Sequence, residues 1–260
     1  MNVLTFDIET VPDVAGGRRL LELDATLGDD EVAELMFARR REITGDSDFL
    51  RHHLHRIVAI SVVLRRGSDE FRVWSLGEPD ADEGELIQRF FQGVERFAPT
   101  LVSWNGGGFD LPVLHYRALL HGIQAPRYWD TGELDSNHRF NNYLSRFHWR
   151  HTDLMDVLAG YQPRASAPLD EIATLMGFPG KMGMSGDKVW PAFRDGDIGA
   201  IRDYCETDVL NTYLVYLGFQ HFRGHLDNEG LQREQDLVRD RLSVDGRSHV
   251  RAFLDAWQGE

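Results

Sequence analysis

Cysteine and lysine are both scarce in this sequence: Cys205 is the single cysteine, and Lys181 and Lys188 are the only lysines among 260 residues. One cysteine excludes a disulfide within the chain and suits a reducing compartment, so we expect a cytoplasmic protein. No apolar run approaches the ~20 residues that a membrane-spanning helix needs. The N-terminus also lacks the basic start and the small-residue cleavage site of a signal peptide. We therefore expect one large globular domain, or one domain with appendages.

Basic residues are outnumbered by acidic ones, 28 to 42, which gives a net charge of −14. This balance argues against a protein that coats nucleic acid through a broad basic surface. It does not exclude an enzyme that grips a few phosphates through metal ions and local cations. The two lysines lie in one glycine-rich region. They indicate either a local need for ammonium groups or only the arginine bias of the coding composition.

The first ten residues combine a strand pattern with two acids. Residues 3–8 form a short apolar run, the kind of segment that becomes a buried strand, and Asp7 and Glu9 interrupt its end. Residues two apart share one face of a strand, so both carboxylates would point the same way. Two buried like charges repel each other, and a bound divalent cation with oxygen ligands would relieve that repulsion. The alternative is a frayed strand whose acids face water.

Strand and helix patterns follow along the chain. They predict a helix over about 29–41, a hairpin of strands 56–64 and 70–75, a helix over 84–98 and a strand over 100–104. The last strand runs into the segment from Asn105 to Asp110, which precedes a helix that ends near His121. Asp110 either only suits the dipole at this helix start or faces the crevice at the carboxyl end of the strand.

A long helix over about 195–219 carries Tyr204 and Asp208, four residues apart and therefore on one face. A carboxylate beside the apolar side of a buried helix needs a partner. Two other segments allow two interpretations each. The aromatic stretch 126–150 is either a packed irregular insertion or a stacking platform for bases. The loop 177–186 is either a plain surface loop or a phosphate-binding loop with Lys181.

The acids occur in three ordered motifs, Asp7-Ile-Glu9, Asn105-x-x-x-Phe109-Asp110 and Tyr204-x-x-x-Asp208. Together they resemble the DEDD exonucleases of the ribonuclease H-like superfamily, in the subclass with a tyrosine in the last motif. The segments 104–112 and 204–209 look like the proofreading exonuclease of family-B DNA polymerases. A polymerase needs several hundred further residues, so we expect a relative of the stand-alone bacterial exonucleases.

The resemblance implies an α/β fold of the ribonuclease H-like type, with a mixed central sheet of about five strands flanked by helices. The exonuclease domain would occupy residues 1–225, with an N-terminal insertion at about 13–55. Residues 226–260 would form a C-terminal helical extension.

The resemblance also implies a two-metal mechanism with Mg²⁺ or Mn²⁺. Asp7 would be shared by both ions, Glu9 and Asp208 would complete one site, and Asp110 would serve the second. Tyr204 would orient the attacking water. The remaining candidates, all for substrate binding, are Thr10, Asn105, Phe109, Lys181 and Lys188.

The expected activity is 3′–5′ exonuclease cleavage of single-stranded DNA or frayed 3′ ends, which releases 5′-mononucleotides. Two alternatives stay open: a 3′–5′ exoribonuclease that acts on RNA, and a non-catalytic module that binds nucleic acid or a protein partner.

Overall fold

The protein, seen in a computed structural model that describes residues 1–258, is built on a five-stranded sheet with the order β3-β2-β1-β4-β5. The strands are β1 (Asn2–Pro12), β2 (His55–Arg66), β3 (Glu70–Ser75), β4 (Thr100–Ser103) and β5 (His151–Asp153). β2 is antiparallel to both of its neighbours, whereas β4 is parallel to both β1 and β5. This mixed sheet with flanking helices confirms the predicted α/β class and the predicted central sheet of about five strands.

Helices occupy most of the rest of the chain. They are α1 (Val14–Leu20), α2 (Asp29–Thr44), α3 (Glu83–Phe97), α4 (Asp110–Leu120), α5 (Pro126–Trp129), α6 (Leu154–Leu158), α7 (Leu169–Leu175), α8 (Val189–Arg194), α9 (Ile198–Phe222), α10 (Asn228–Ser243) and α11 (Ser248–Gln258). Of these, α1 and α2 fall between β1 and β2, and the cap of α2 is Gly28 rather than one of the acids that follow it. Among residues 1–258, no helix is long and apolar enough to cross a membrane.

The two faces of the sheet bury different helices. Leu4, Phe6 and Ile8 of β1 join a core with α3 and α4, whereas Val3 joins a core with α9, α10 and α11. Side chains alternate along a strand. Asp7 and Glu9 occupy odd positions of β1, as Val3 does, so they lie on the side of the sheet that faces α9. The alternation of β1 therefore directs its two carboxylates toward the helix that carries the third motif.

The C-terminal helices complete the core on the α9 side. Val238 of α10 and Phe253 of α11 are fully buried in it. A buried ion pair also ties α10 to the sheet, since two nitrogens of Arg65 on β2 each lie 2.8 Å from a carboxylate oxygen of Glu234. Such paired, charge-assisted hydrogen bonds fix geometry as well as adding energy. The inner sides of α10 and α11 are thus part of the main core, although α10 is highly charged.

A gap opens in the sheet between β1 and β4. The two strands pair only from Val3 to Thr5, but β1 continues to Pro12 beside β2, with a register shift between Glu9 and Thr10. Beyond Thr5, the edge of β1 that faces β4 is therefore free. Crevices at the carboxyl ends of parallel strands are the usual ligand sites of α/β sheets, and Asp7 and Glu9 lie at this one.

Candidate active site

The two acids of β1 converge with a thiol from α9. Asp7 is half-buried and Glu9 is only 8% exposed. One ligand atom from each of Asp7, Glu9 and Cys205 lies within 4.8 Å of the others. Burial raises the pKa of Asp7 well above its usual range, and the charges of Asp110, Glu9 and Asp208 raise it further. Acids from all three motifs therefore affect the pKa of Asp7.

Asp110 is the first residue of α4 and fills the gap beside β1. Its Oδ1 accepts a hydrogen bond of 3.2 Å from the backbone N–H of Ile8, on the edge that β4 leaves free. The side chain is 3% exposed. Burial raises the pKa of Asp110 to about 7, although the hydrogen bonds from its own and the Ile8 backbone N–H oppose this rise. The second motif thus contributes a buried carboxylate that is fixed to the strand of the first motif.

The turn before Asp110 depends on Asp153 at the end of β5. The carboxylate of Asp153 accepts hydrogen bonds from the backbone N–H groups of Asn105, at 2.9 Å, and Gly107, at 2.8 Å. It also caps α6. Asn105 has a positive φ of 61°, and a Cβ on Gly106 would lie 2.3 Å from the Ser103 hydroxyl. Asn105 and its neighbours thus shape a tight turn that delivers Asp110.

Phe109, in front of Asp110, is surrounded by rings from the first residue of β2 and from the segment before it. Its ring centroid lies 5.5 Å from that of Phe49, 5.8 Å from that of His52 and 5.1 Å from that of His55. A ring nitrogen of His52 also lies 2.8 Å from the carbonyl oxygen of Gly108. The segment between β1 and β2 therefore packs on the solvent side of the second motif and is hydrogen-bonded to it.

Thr10 is engaged by the same segment. Its hydroxyl lies 2.9 Å from Nδ1 of His55, and Nε2 of His55 lies 3.1 Å from the Leu50 carbonyl oxygen. Burial lowers the pKa of His55 to about 4, so the ring is neutral at pH 7. A neutral ring that donates from Nε2 to Leu50 accepts at Nδ1 from the Thr10 hydroxyl. His55 thus has protein partners at both ring nitrogens.

The third motif lies on α9, where Tyr204 and Asp208 share one face. Burial raises the pKa of Asp208 to about 6, whereas its interaction with the Tyr204 hydroxyl and the charge of Lys181 lower it. Burial, followed by the charges of Asp208 and Glu9, raises the pKa of Tyr204 far above its ordinary value. Tyr204 therefore stays protonated and can act as a hydrogen-bond donor, but it cannot act as a base at neutral pH.

The two lysines occupy different positions near the acids. Lys181 is exposed, and its charge lowers the pKa of both Glu9 and Asp208. Its loop is anchored because the Lys181 backbone N–H donates to Asp170 Oδ1 at 2.6 Å. Lys188 instead lines a neighbouring cavity of about 360 Å³, together with Tyr204. Only Lys181 thus acts on the carboxylates themselves.

The sequence did not indicate that Cys205 is part of the site, nor did it indicate a polar network that joins α9 to β3 and α11. The sequence pattern assigns Cys205 to the buried stripe of the helix, yet its spacing of three from Asp208 already places it on the same face. Glu206, on the next position, accepts hydrogen bonds from Ser75 on β3 and is paired with Arg247 and His249. No local pattern reveals this network, because its members are far apart in the sequence.

The side chains of the site fit hard divalent cations. Four carboxylates face one crevice, and burial together with mutual repulsion raises the pKa of each of Asp7 and Glu9. Among residues 1–258, neither a hydrogen bond nor an ion pair satisfies the Glu9 carboxylate. Buried carboxylates without a partner are stabilised by divalent ions, and oxygen ligands are those that Mg²⁺ and Mn²⁺ prefer.

Comparison with known proteins identifies the family of the chain. The family model described as "Predicted 3'-5' exonuclease related to the exonuclease domain of PolB" matches residues 47–257. The chain belongs to this family. Membership implies a phosphodiester hydrolase that acts on nucleic acid, and it confirms the family resemblance seen in the sequence. The matched range begins after β1, so Asp7 and Glu9 lie outside it.

Individual relatives are DNA polymerases. The chain is 27% identical over 154 residues to the catalytic chain of DNA polymerase epsilon from Saccharomyces cerevisiae, and 26% identical over 151 residues to that from Kluyveromyces lactis. These matches cover 54% and 55% of this chain but only 6% of each polymerase. A solved family B DNA polymerase from Pyrobaculum calidifontis matches with a TM-score of 0.49 and 18% identity, over 82% of this chain and 24% of that one.

Proposed function

We propose that the protein is a metal-dependent exonuclease that removes 5′-mononucleotides from the 3′ ends of single-stranded or frayed DNA. The observation that carries the proposal is the meeting of Asp7, Glu9, Asp110 and Asp208, with Tyr204, in the crevice between β1 and β4. The polymerase relatives favour DNA over RNA as the substrate.

Asp7, Glu9, Asp110 and Asp208 are the residues that would hold the ions. When bound, two Mg²⁺ or Mn²⁺ ions would neutralise the scissile phosphate, lower the pKa of an attacking water and stabilise the leaving oxygen. Asp7 suits the shared position, because its pKa responds to all three other acids. Glu9 and Asp208 are proposed to share one ion, since the charge of Lys181 lowers the pKa of both. Asp110 is proposed to serve the other ion, and its hydrogen bond from the Ile8 backbone N–H orients it.

Tyr204 is proposed to orient the attacking water through its hydroxyl. Its high pKa keeps the proton on the phenol, so the side chain donates a hydrogen bond and does not remove a proton from water. The hydroxyl lies close enough to Asp208, a proposed metal ligand, to lower the pKa of that acid.

Substrate contacts are proposed for the remaining predicted residues. The exposed ammonium group of Lys181 can approach a phosphate beside Glu9 and Asp208, and Lys188 can reach a nucleotide in the cavity next to Tyr204. Half-buried Phe109 can stack on a terminal base. Asn105 and Thr10 would act mainly by shaping the turn and by anchoring His55, respectively.

The domain assignment and the location of the protein are part of the same proposal. Residues 1–225 would form the exonuclease domain, the segment 13–55 would be an insertion that supports Phe109, and residues 226–260 would be a helical extension. The single cysteine supports a cytoplasmic location.

The test is degradation of a 5′-labelled single-stranded oligonucleotide with Mg²⁺ or Mn²⁺. Wild type should give a ladder of shortened products, and Asp7→Asn should lower the rate at least about 100-fold. Asp240→Asn, which removes an exposed charge on α10, is the matched control and should leave the rate unchanged. A wild type without a ladder, or Asp7→Asn with undiminished activity, would contradict the proposal. Faster cleavage of a matched RNA would contradict the choice of DNA.

A further inference from the structure

The thiol of Cys205 lies inside the acid site and has no role in the proposed reaction. Cys205 is completely buried, and its Sγ lies 3.5 Å from Asp7 Oδ2. The Asp7 carbonyl oxygen also lies 3.5 Å from the sulfur, and Ser61 is a further polar neighbour, whereas Val11, Ala59 and Ile201 pack against its apolar side. A buried cysteine is often only a small apolar residue with a weak S–H donor, so its position alone assigns no function.

The Glu9 carboxylate provides an independent observation. Glu9 is only 8% exposed, and one of its oxygens lies within 4.8 Å of both the Asp7 carboxylate and the Cys205 sulfur. Within residues 1–258, no donor is hydrogen-bonded to it. A buried carboxylate directed at a thiol and a second carboxylate, without a donor of its own, leaves room for a cation among the three.

The separation of the Asp7 oxygen and the Cys205 sulfur suits a tetrahedral ion that accepts sulfur, and the Glu9 oxygen lies within 4.8 Å of both atoms. With bonds of about 2.3 Å to sulfur and about 2.1 Å to oxygen, tetrahedral angles place the two ligand atoms about 3.6 Å apart. The observed separation of Asp7 Oδ2 and Cys205 Sγ is 3.5 Å. Three protein ligands and one open position are typical of reactive zinc sites.

We propose that Asp7, Glu9 and Cys205 form a binding site for one thiophilic divalent cation of the Zn²⁺ or Cd²⁺ class. Binding forms a metal–sulfur bond in place of the S–H bond, and the thiol proton passes to the buffer. The ion reaches the sulfur only through the carboxylate opening, because Cys205 has no exposed surface.

The consequence for activity depends on the proposed exonuclease function. Asp7 and Glu9 are also the proposed ligands of the hard catalytic ions, so the two kinds of occupancy exclude each other. Thiophilic ions would therefore inhibit the enzyme by replacing Mg²⁺, and a large excess of Mg²⁺ would relieve the inhibition. Hard ions gain nothing from the sulfur, because Mg²⁺ and Mn²⁺ prefer oxygen ligands.

The experiment is a titration of the full, metal-free chain with Cd²⁺, followed by the ultraviolet absorption that arises from charge transfer between a thiolate and Cd²⁺. Wild type should develop this absorption and saturate at one Cd²⁺ per chain. Since Cys205 is the only cysteine, the signal reports this site alone. Cys205→Ser should lack the absorption, and Glu9→Gln should weaken Cd²⁺ binding at least about tenfold while keeping the thiol.

Absence of the absorption from wild type at saturating Cd²⁺ would overturn the proposal, and so would unchanged Cd²⁺ affinity in Glu9→Gln. Both results are independent of catalysis and of whether Cys205→Ser folds. A wild type that degrades DNA with Mg²⁺ but shows no Cd²⁺ signal would refute only the thiol site. A wild type with the signal but without Mg²⁺-dependent cleavage would refute only the exonuclease function.

Discussion

Replacing Asp110 with asparagine should stabilise the protein in the absence of metal. The carboxyl group is 3% exposed, and burial raises its pKa to about 7 from an ordinary 3.8. Above about pH 7 the folded protein therefore holds an ionised Asp110 carboxylate in a buried site that disfavours its charge. Asparagine is close to aspartate in shape and keeps an oxygen that can accept the Ile8 N–H, but it carries no charge.

The size of the effect follows from the pKa difference. Between about pH 4 and pH 7 the folded state binds more protons at Asp110 than the unfolded state does, so stability falls as the pH rises. A change in pKa from 3.8 to about 7 corresponds to at most about 4 kcal/mol. Asp110→Asn does not lose stability through ionisation of a buried carboxylate. It does lose the favourable interaction of a negative charge with a helix N-terminus, worth about 0.3–1 kcal/mol. We expect Asp110→Asn to gain about 1–4 kcal/mol over wild type at pH 8.

Urea unfolding of wild type and Asp110→Asn in a chelating buffer at pH 4.5, 6 and 8 measures this gain. The difference in the free energy of unfolding should be smallest at pH 4.5, increase with pH and level off above about pH 7.5. Asp240→Asn controls for the loss of one negative charge and should differ little from wild type. Saturating Mn²⁺ should stabilise wild type more than the variant and so reduce the gain. A difference that does not change with pH, or a less stable variant at pH 8, would refute the buried-charge explanation.

Three further substitutions test separate parts of the molecule. Tyr204→Phe should lower kcat about 10–100-fold in steady-state cleavage of an oligonucleotide, whereas its Mn²⁺ affinity measured by calorimetry should change little. A kcat like that of wild type would exclude the orienting role. Gly106→Ala should lower stability by about 1–3 kcal/mol in urea unfolding, because the new Cβ would lie 2.3 Å from the Ser103 hydroxyl; a neutral effect would mean that the turn adapts. Arg65→Met should destabilise the fold by about 2–4 kcal/mol, since it leaves Glu234 buried without its partner; urea unfolding with no loss would show that α10 is held by apolar packing alone.

The convergence of the acids was predictable because it depends on short-range periodicity. Alternation along β1 puts Asp7 and Glu9 on one side of the sheet, and a spacing of four puts Tyr204 and Asp208 on one face of α9. The order of the motifs then indicated the fold in which they meet. The same alternation places Val3 on the side of the sheet that carries the acids. Because Val3 packs in the core with α9, the acids lie on the side that faces α9.

Contacts between distant segments could not be predicted in this way. The three residues of β5 are too few for a strand pattern. The hydrogen bond between Asp110 and Ile8 depends on where β1 and β4 part, which is a property of the whole sheet. The packing of His52 and His55 on Phe109 likewise requires the segment before β2 to fold back over the second motif.

A crystal structure of wild type with Mn²⁺ and a 5′-mononucleotide tests the central claim most directly, because anomalous scattering locates each ion independently of the protein. We expect two Mn²⁺ ions in the crevice between β1 and β4, both bound by Asp7, with Glu9 and Asp208 on one ion and Asp110 serving the other. The nucleotide phosphate should lie between the ions and Tyr204. Crystals saturated with Mn²⁺ that show no ion at these carboxylates, or a nucleotide bound elsewhere, would contradict the account.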